Sequence, residues 1–248
     1  MAGLLGIGGG GIMVPILTSI FLLQGVDPDN VIHLALGTSM ASMIVTSFSS
    51  SRAHNAKGAV LWKVVKGMTG GIILGAFLST FLASYLSSIY LAIFFTVFMV
   101  FVSCQMFLNK KPSPSRSLAG STGLFAAGSG IGAISALVSI GGGSLTVPYL
   151  IWQNVEIKKA IGTSAAIGLP ISIAGTVGYL VNGLDNSSIE AYTFGFVNLP
   201  AVLLISATSF FMAPLGARFA HKLPISILKK IFAILLIILS AKMLLTLV

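Results

Sequence analysis

Long apolar stretches alternate with short polar loops along the whole chain, and their spacing predicts membrane-crossing helices. The first apolar stretch covers about residues 4–26, is interrupted by glycines, and ends at Asp27, Pro28 and Asp29. Helices are expected over about 31–51, 67–86 and 87–108, each close to the ~20 residues that span a hydrocarbon core. A polar loop from Arg52 to Gly58, running into Lys63 and Lys66, separates the first two. The stretch 109–117 (Lys110, Lys111, Pro112, Pro114, Arg116) reads as a linker. After it the order recurs: an apolar run over 118–153 broken at Gly141, Gly142 and Gly143, a loop with Glu156, Lys158 and Lys159, then helices over about 160–181, 191–211 (running on toward 219) and 223–248. Residues 1–108 form one predicted transmembrane repeat, 109–117 a cytoplasmic linker, and 118–248 a second repeat.

Each repeat opens on the same interruption. Gly6-Ile7-Gly8-Gly9-Gly10-Gly11 precedes Val14-Pro15, and Ser139-Ile140-Gly141-Gly142-Gly143-Ser144 precedes Val147-Pro148, a shift of 133. Ala35 to Ser39 matches Ala160 to Ser164 at a shift of 125, and Leu86, Leu91 and Phe95 match Leu223, Leu228 and Phe232 at 137. Duplication on this scale is a habit of secondary transporters.

Composition agrees with the membrane reading. Hydrophobic residues make up 56% of the chain and charged residues 8%, against about 25% charged in a soluble domain. The net charge of +9 is then a matter of orientation in the membrane rather than of nucleic acid, because Lys and Arg collect in cytoplasmic loops. Cys104 is the single cysteine, which excludes an internal disulfide; among Phe and Val it reads as a small apolar filler. Charge placement also chooses a topology. If each Gly-broken stretch crosses once, the basic residues divide eight to six between the two faces. If each is a hairpin that dips in and leaves on the same side, thirteen of fourteen share one face and only Lys242 does not. Asp27, Asp29, Asp185 and Glu190 then fall opposite. The expectation is an all-α integral membrane protein of the cytoplasmic (inner) membrane with two inverted repeats. Each repeat is a Gly-broken helical hairpin plus three transmembrane helices, and both termini lie outside. The first arm is short, so a faithful repeat starts Met1 inside the bilayer, as a shortened start or a missing upstream segment would.

Backbone that is not helical at membrane depth survives where it faces protein or a polar cavity. Helices starting near Ile12 and Leu145 would aim free N–H groups and positive dipole ends at the centre, with Pro15 and Pro148 in about the first turn. Two such ends brought together make an anion site. Its expected lining is Gly8, Gly9, Gly10, Gly11, Gly141, Gly142, Gly143 and Ser144, with hydroxyls from Thr38, Ser39, Thr163 and Ser164. The competing reading is that Gly clusters serve close packing and that Ser and Thr bond their own helix backbone. Gly67, Gly70, Gly71 and Gly75 are read as packing glycines. His33 is expected as an interfacial anchor, His54 in an orienting loop, His221 in solvent. The predicted spans carry no Asp or Glu, which argues against a carboxylate proton relay or a cation path. No catalytic residue, metal or cofactor is expected.

The paired motif resembles the TauE/SafE family of membrane proteins, the sulfite and organosulfonate exporters. The similarity rests on Gly6 to Gly10 with Val14-Pro15, on Ala35 to Ser39, on His54 to Gly58 followed by Val60 and Trp62, on Ile140 to Gly143 with Val147-Pro148, and on Ala160 to Ser164. It covers nearly the whole chain and implies a transporter of small sulfur-containing oxyanions such as sulfite, sulfoacetate or other organosulfonates. Alternating access across inverted halves is the expected mechanism. A passive anion channel of the same fold is the alternative; an intramembrane enzyme would need a nucleophile or an acid–base pair, and none is arranged in the spans. Membrane lipid is an expected partner, nucleic acid is not, and homo-oligomerisation is left open.

Overall fold

The computed structural model describes residues 9–108, 115–184, 192–220 and 225–247, with side chains except at 210–220 and 225–229. These residues form helices α1 (Gly10–Leu23), α2 (Pro28–Ala56), α3 (Trp62–Tyr85), α4 (Ser88–Leu108), α5 (Ser121–Leu137), α6 (Gly143–Trp152), α7 (Ile157–Gly183), α8 (Leu199–Ala220) and α9 (Ile225–Leu247). A two-stranded antiparallel hairpin, β1 (Thr193–Phe194) and β2 (Val197–Asn198), precedes α8, with Thr193 opposite Asn198. The chain is predominantly helical but not all-α, as the pattern suggested. The segment read as the start of a helix near 191 turns instead through Tyr192 and Gly195, both at positive φ (71° and 54°). The side chain of Asn198 then accepts the Ala201 N–H at 3.0 Å, which caps α8 three residues in, with Pro200 in the first turn.

Local chemistry sets the other helix ends. Asp27 accepts the Asp29 N–H at 2.9 Å and Pro28 occupies the first position of α2, a strong start signal. α1 and α6 begin at Gly10 and Gly143 behind Gly9 and Gly142, which cap without a side chain. That is two residues earlier than expected. Pro15 and Pro148 therefore lie in the second turn, where each removes the N–H that would reach the Gly11 or Ser144 carbonyl. Both helices stop alike. Gly25 (φ 89°) and Asn154 (φ 61°) are left-handed, and Val26 and Val155 donate back to Phe21 and Leu150, each at 3.0 Å, in the manner of a Schellman turn.

Among the described residues, five helices are long and apolar enough to cross a membrane: α2, α3, α4, α7 and, over its described side chains, α9. α1, α5 and α6 have 14, 17 and 10 residues, which at ~1.5 Å per residue falls short of the ~30 Å core. The linker end ties both ends of the α5–α6 unit together. Ser115 and Arg116 donate backbone N–H groups to the Trp152 carbonyl at 3.2 and 3.3 Å, and Ala119 donates to Gln153 Oε1 at 3.2 Å. The Arg116 guanidinium also lies 4.5 Å over the Trp152 ring, a cation–π contact. The lead-in to α5 and the exit of α6 thus share one end of the molecule.

Packing partners recur between the two parts of the chain. α2 lies against α7, α4 against α9, α1 against α2 as α6 against α7, and α3 against α7 as α8 against α2. α2 and α7 run antiparallel, since Met40 meets Gly175 and Ser47 meets Gly168. α4 and α9 do too: the Thr96 hydroxyl donates to the Ser240 carbonyl (3.3 Å) and Ser103 to Ala233 (3.2 Å). α3 and α5 run in parallel, with Gly67 on Leu124, Gly71 on Phe125 and Gly75 on Ser129. Removing Cβ lets backbones approach, the usual means of helix association in lipid. α2 and α7 form the centre, while α4 and α9 turn Val97, Phe101, Ile231, Ile234 and Ile238 outward, an apolar surface suited to lipid. Cys104 also faces outward rather than filling the core.

Candidate functional site: two glycine turns and a ring of hydroxyls

The two glycine turns meet. Gly10, at the start of α1, lies against the carbonyl of Ser139, so closely that any Cβ would overlap that oxygen. Ser139 closes α5 with φ 48°, a conformation that costs a non-glycine residue roughly 1–2 kcal/mol. The Ile140 N–H donates back to Ser135 O at 3.0 Å, completing the turn, and the Ser139 hydroxyl is 4.0 Å from Met43 Sδ on α2. Gly142 faces Thr146, Ile167 and Ile171, so the second turn is seated on α7. Gly9, Gly10, Gly11, Gly141, Gly142 and Gly143 are all at least partly buried; Gly8 lies outside the described residues.

Hydroxyls divide into two sets. Thr18, Ser42, Thr69, Ser129, Thr176 and Ser240 each donate to the carbonyl four residues earlier, at 2.6–3.1 Å, which is the ordinary fate of Ser and Thr in apolar helices. Ser39, Ser135, Ser144, Thr146 and Ser206 are buried without a hydrogen-bond partner. Ser135 ends α5, Ser144 and Thr146 open α6, and Ser39 stands one turn before Met43 on α2. Three of the five, Ser135, Ser144 and Thr146, therefore flank the second glycine turn. A buried hydroxyl left unpaired costs about 1–3 kcal/mol, and such exceptions ask for a reason. Together with the leading N–H groups of α6, ahead of the Thr146 N–H that bonds Gly142 O at 2.6 Å, they form a concentration of donors. Among the described residues no Asp, Glu, Lys or Arg is buried. Neutral donors grouped at a helix N-terminus suit an oxyanion.

The Gly-Thr-Ser motifs have a different, reciprocal geometry. Gly37 presses on the Phe196 carbonyl and Gly162 on the Ala59 carbonyl. Two residues on in each loop, the Asn198 N–H donates to Thr38 Oγ1 at 3.0 Å and the Leu61 N–H to Thr163 Oγ1 at 2.9 Å. Each threonine thus holds the backbone leading into a helix in the other part of the chain, Thr38 that into α8 and Thr163 that into α3. Ser164 donates to Ile161 O at 3.0 Å, whereas Ser39 has no partner. Of the expected hydroxyls, Ser39 and Ser144 are free donors, and Thr38 and Thr163 are engaged as acceptors. Ser135 and Thr146 were not anticipated, although Thr146 was visible as a polar residue standing where the first copy has Met13.

His33 is not the interfacial anchor the sequence suggested. It is buried, with Nε2 donating to the Ala83 carbonyl at 2.9 Å and the ring stacked on Phe196 at 5.1 Å. The apolar hairpin residue Phe196 covers it from the side that the loop reading left open to solvent. His54 sits partly buried in the last turn of α2, and His221 lies outside the described residues.

A predominantly helical bundle with several membrane-length apolar helices defines a multi-pass membrane protein, and its relatives place it in the transporter class. The chain belongs to the sulfite exporter TauE/SafE family, whose description matches residues 1–243. It is 36% identical over 245 residues to a probable membrane transporter protein of Haemophilus influenzae, covering 98% of this chain and 92% of that one. It is 27% identical to the probable membrane transporter protein YdhB of Bacillus subtilis, covering 92% and 88% of the two chains. A probable membrane transporter protein of Methanocaldococcus jannaschii is 28% identical, with 90% and 82% covered. No solved structure matches this chain.

Proposed function

We propose that this chain is a secondary transporter of small sulfur-containing oxyanions, such as sulfite, sulfoacetate or other organosulfonates, working by alternating access between two inverted halves. The observation that carries this reading is the buried, unpartnered donor cluster where the two glycine turns touch. The family supplies the sulfur chemistry of the substrate. Inversion is supported by the antiparallel crossing of α2 with α7 and of α4 with α9, because copies related by an axis along the membrane normal would run parallel. The shared end of α5 and α6, and their short rise, support a re-entrant hairpin. With α1 as the exit arm of the first hairpin, the chain makes six crossings in the inner membrane with both termini outside.

In this mechanism the anion sheds water and is received where the two glycine runs touch, by N–H groups and hydroxyls around Gly142, Gly143 and Ser144, with Gly10 and Gly11 packed on the opposite side. It is exposed to one side and then the other as the halves rock. The test is binding of sulfite, sulfate, thiosulfate and small sulfonates to the purified protein, followed by flux in liposomes. Gly142→Val should abolish saturable flux while the protein stays folded in detergent, since the added side chain meets Thr146 Oγ1 at 2.9 Å and Ile167 at 3.2 Å. Normal flux by a well-folded Gly142→Val protein would leave that turn a packing role only. Flux that rises linearly with concentration would replace the carrier by a channel.

A further inference from the structure

We propose that the anion is held by one half only: the first turn of α6 binds it, with Thr146 and Ser135 as direct ligands, and the start of α1 packs its backbone against that turn at Gly10 without contributing donors. This rests on the anion-transporter reading above and assigns the two turns unequal roles within it.

At the shift of 133, equivalent positions in the two copies have different neighbours. A Cβ on Gly142 would meet the Thr146 hydroxyl at 2.9 Å; one on Gly9 would meet the Met13 ε-methyl at 3.0 Å. Ser144 corresponds to Gly11, whose open side is filled by Leu236 Cδ2 at 3.0 Å and Met99 Sδ at 3.2 Å. The same backbone geometry is therefore lined by hydroxyls in one copy and by methyl and thioether groups in the other. A dehydrated anion gains nothing from the latter, because apolar groups return none of the hydrogen bonds lost with water.

Thr146 is the strongest case. It is fully buried, and Ser144 is 7% exposed. The threonine side chain points back at the helix N-cap, Gly142, so its hydroxyl lies beside the leading N–H groups of α6. The usual self-satisfying bond to the carbonyl four residues earlier is not made, although Thr18 on α1 makes it to Val14 O at 2.9 Å. Ser135 approaches from the other arm, one residue ahead of Ala136, whose carbonyl is fixed by the Tyr179 hydroxyl at 3.1 Å. That bond anchors the end of α5 and leaves the Ser135 hydroxyl the remaining donor there.

Equilibrium binding of sulfite and of methanesulfonate to the full-length protein in detergent, with the ligand-free thermal midpoint measured alongside, tests this. Thr146→Val and Ser135→Ala should each weaken binding about tenfold or more, the loss expected for one hydrogen bond to a charged ligand. Their ligand-free midpoints should stay level or rise, since no protein partner is lost. Thr146→Ser should restore binding, and Met13→Leu, at the equivalent place, should leave it within about twofold, no hydrogen bond being involved. A purely structural threonine would lower the midpoint and spare the affinity, and that result overturns the assignment. So does a Met13→Leu protein that binds as poorly as Thr146→Val. If the unaltered protein binds neither anion, the transporter reading itself falls; if it binds and Thr146→Val binds equally well, only the one-sided site falls.

Discussion

Replacing Thr38 and Thr163 by Val, singly and together, probes the reciprocal contacts between the two parts of the chain. Valine keeps the branched shape but removes the acceptor for the Asn198 and Leu61 N–H groups, bonded at 3.0 and 2.9 Å. Both threonines are fully buried, so each substitution strands a backbone donor away from water, at a cost of about 1–3 kcal/mol. The antiparallel register of α2 and α7, read from Met40 with Gly175 and Ser47 with Gly168, sets Thr163 opposite Arg52. That is fourteen residues along α2 from Thr38, or about 21 Å at the helical rise. Sites so far apart should add, within about 0.5 kcal/mol, giving about 2–6 kcal/mol for the double variant. For a chain this size each single change should lower the thermal midpoint in detergent by roughly 2–12 °C, and Thr→Ser at either site should recover most of the loss. The reasoning fails if both Val variants melt with the parent protein. Loss of anion affinity by Thr38→Val at unchanged stability would also refute it, because that would put the hydroxyl in the ligand site and not in the contact with Asn198.

Two further outcomes are expected. Gly10→Ala should strongly destabilise the protein, since its methyl would overlap the Ser139 carbonyl; thermal melting of the detergent-purified variant checks this, and an unchanged midpoint would separate the two turns. In a background without Cys104, which faces outward, cysteines replacing the exposed Asp29 and Lys158 should label from opposite sides of intact cells, Asp29 from outside. Labelling of both by an impermeant reagent would refute the inverted topology.

The fold was legible where membrane physics acts directly on residue type. Apolar runs near bilayer length located α2, α3, α4, α7 and α9, and consecutive glycines located the starts of α1 and α6. Less legible were features decided by neighbours distant in sequence. Nothing near Thr193 announces a hairpin; it forms because Gly195 tolerates positive φ and Asn198 caps the next helix. His33 looked interfacial because it follows the acidic loop, yet Ala83 and Phe196, from two other segments, enclose it. The Gly-Thr-Ser repeats were visible, but their partners lie 102 and 160 residues away along the chain. A motif shows that hydroxyls are present; only the packed arrangement tells which already have a partner.

That distinction bears on how inverted halves would exchange states. Alternating access requires two arrangements of nearly equal free energy, since a gap of a few kcal/mol leaves one of them scarcely populated. In the proposed carrier, the reciprocal contacts would supply a matched pair of gates. Each consists of one glycine against one carbonyl and one threonine accepting one N–H, at bond lengths that differ by 0.1 Å (3.0 and 2.9 Å). The glycine turns at the centre do not share this balance, because Ser144 and Thr146 stand where the first copy has Gly11 and Met13. Symmetry at the ends with asymmetry at the middle is what a carrier needs: matched gates, and a substrate bound in one orientation throughout the exchange.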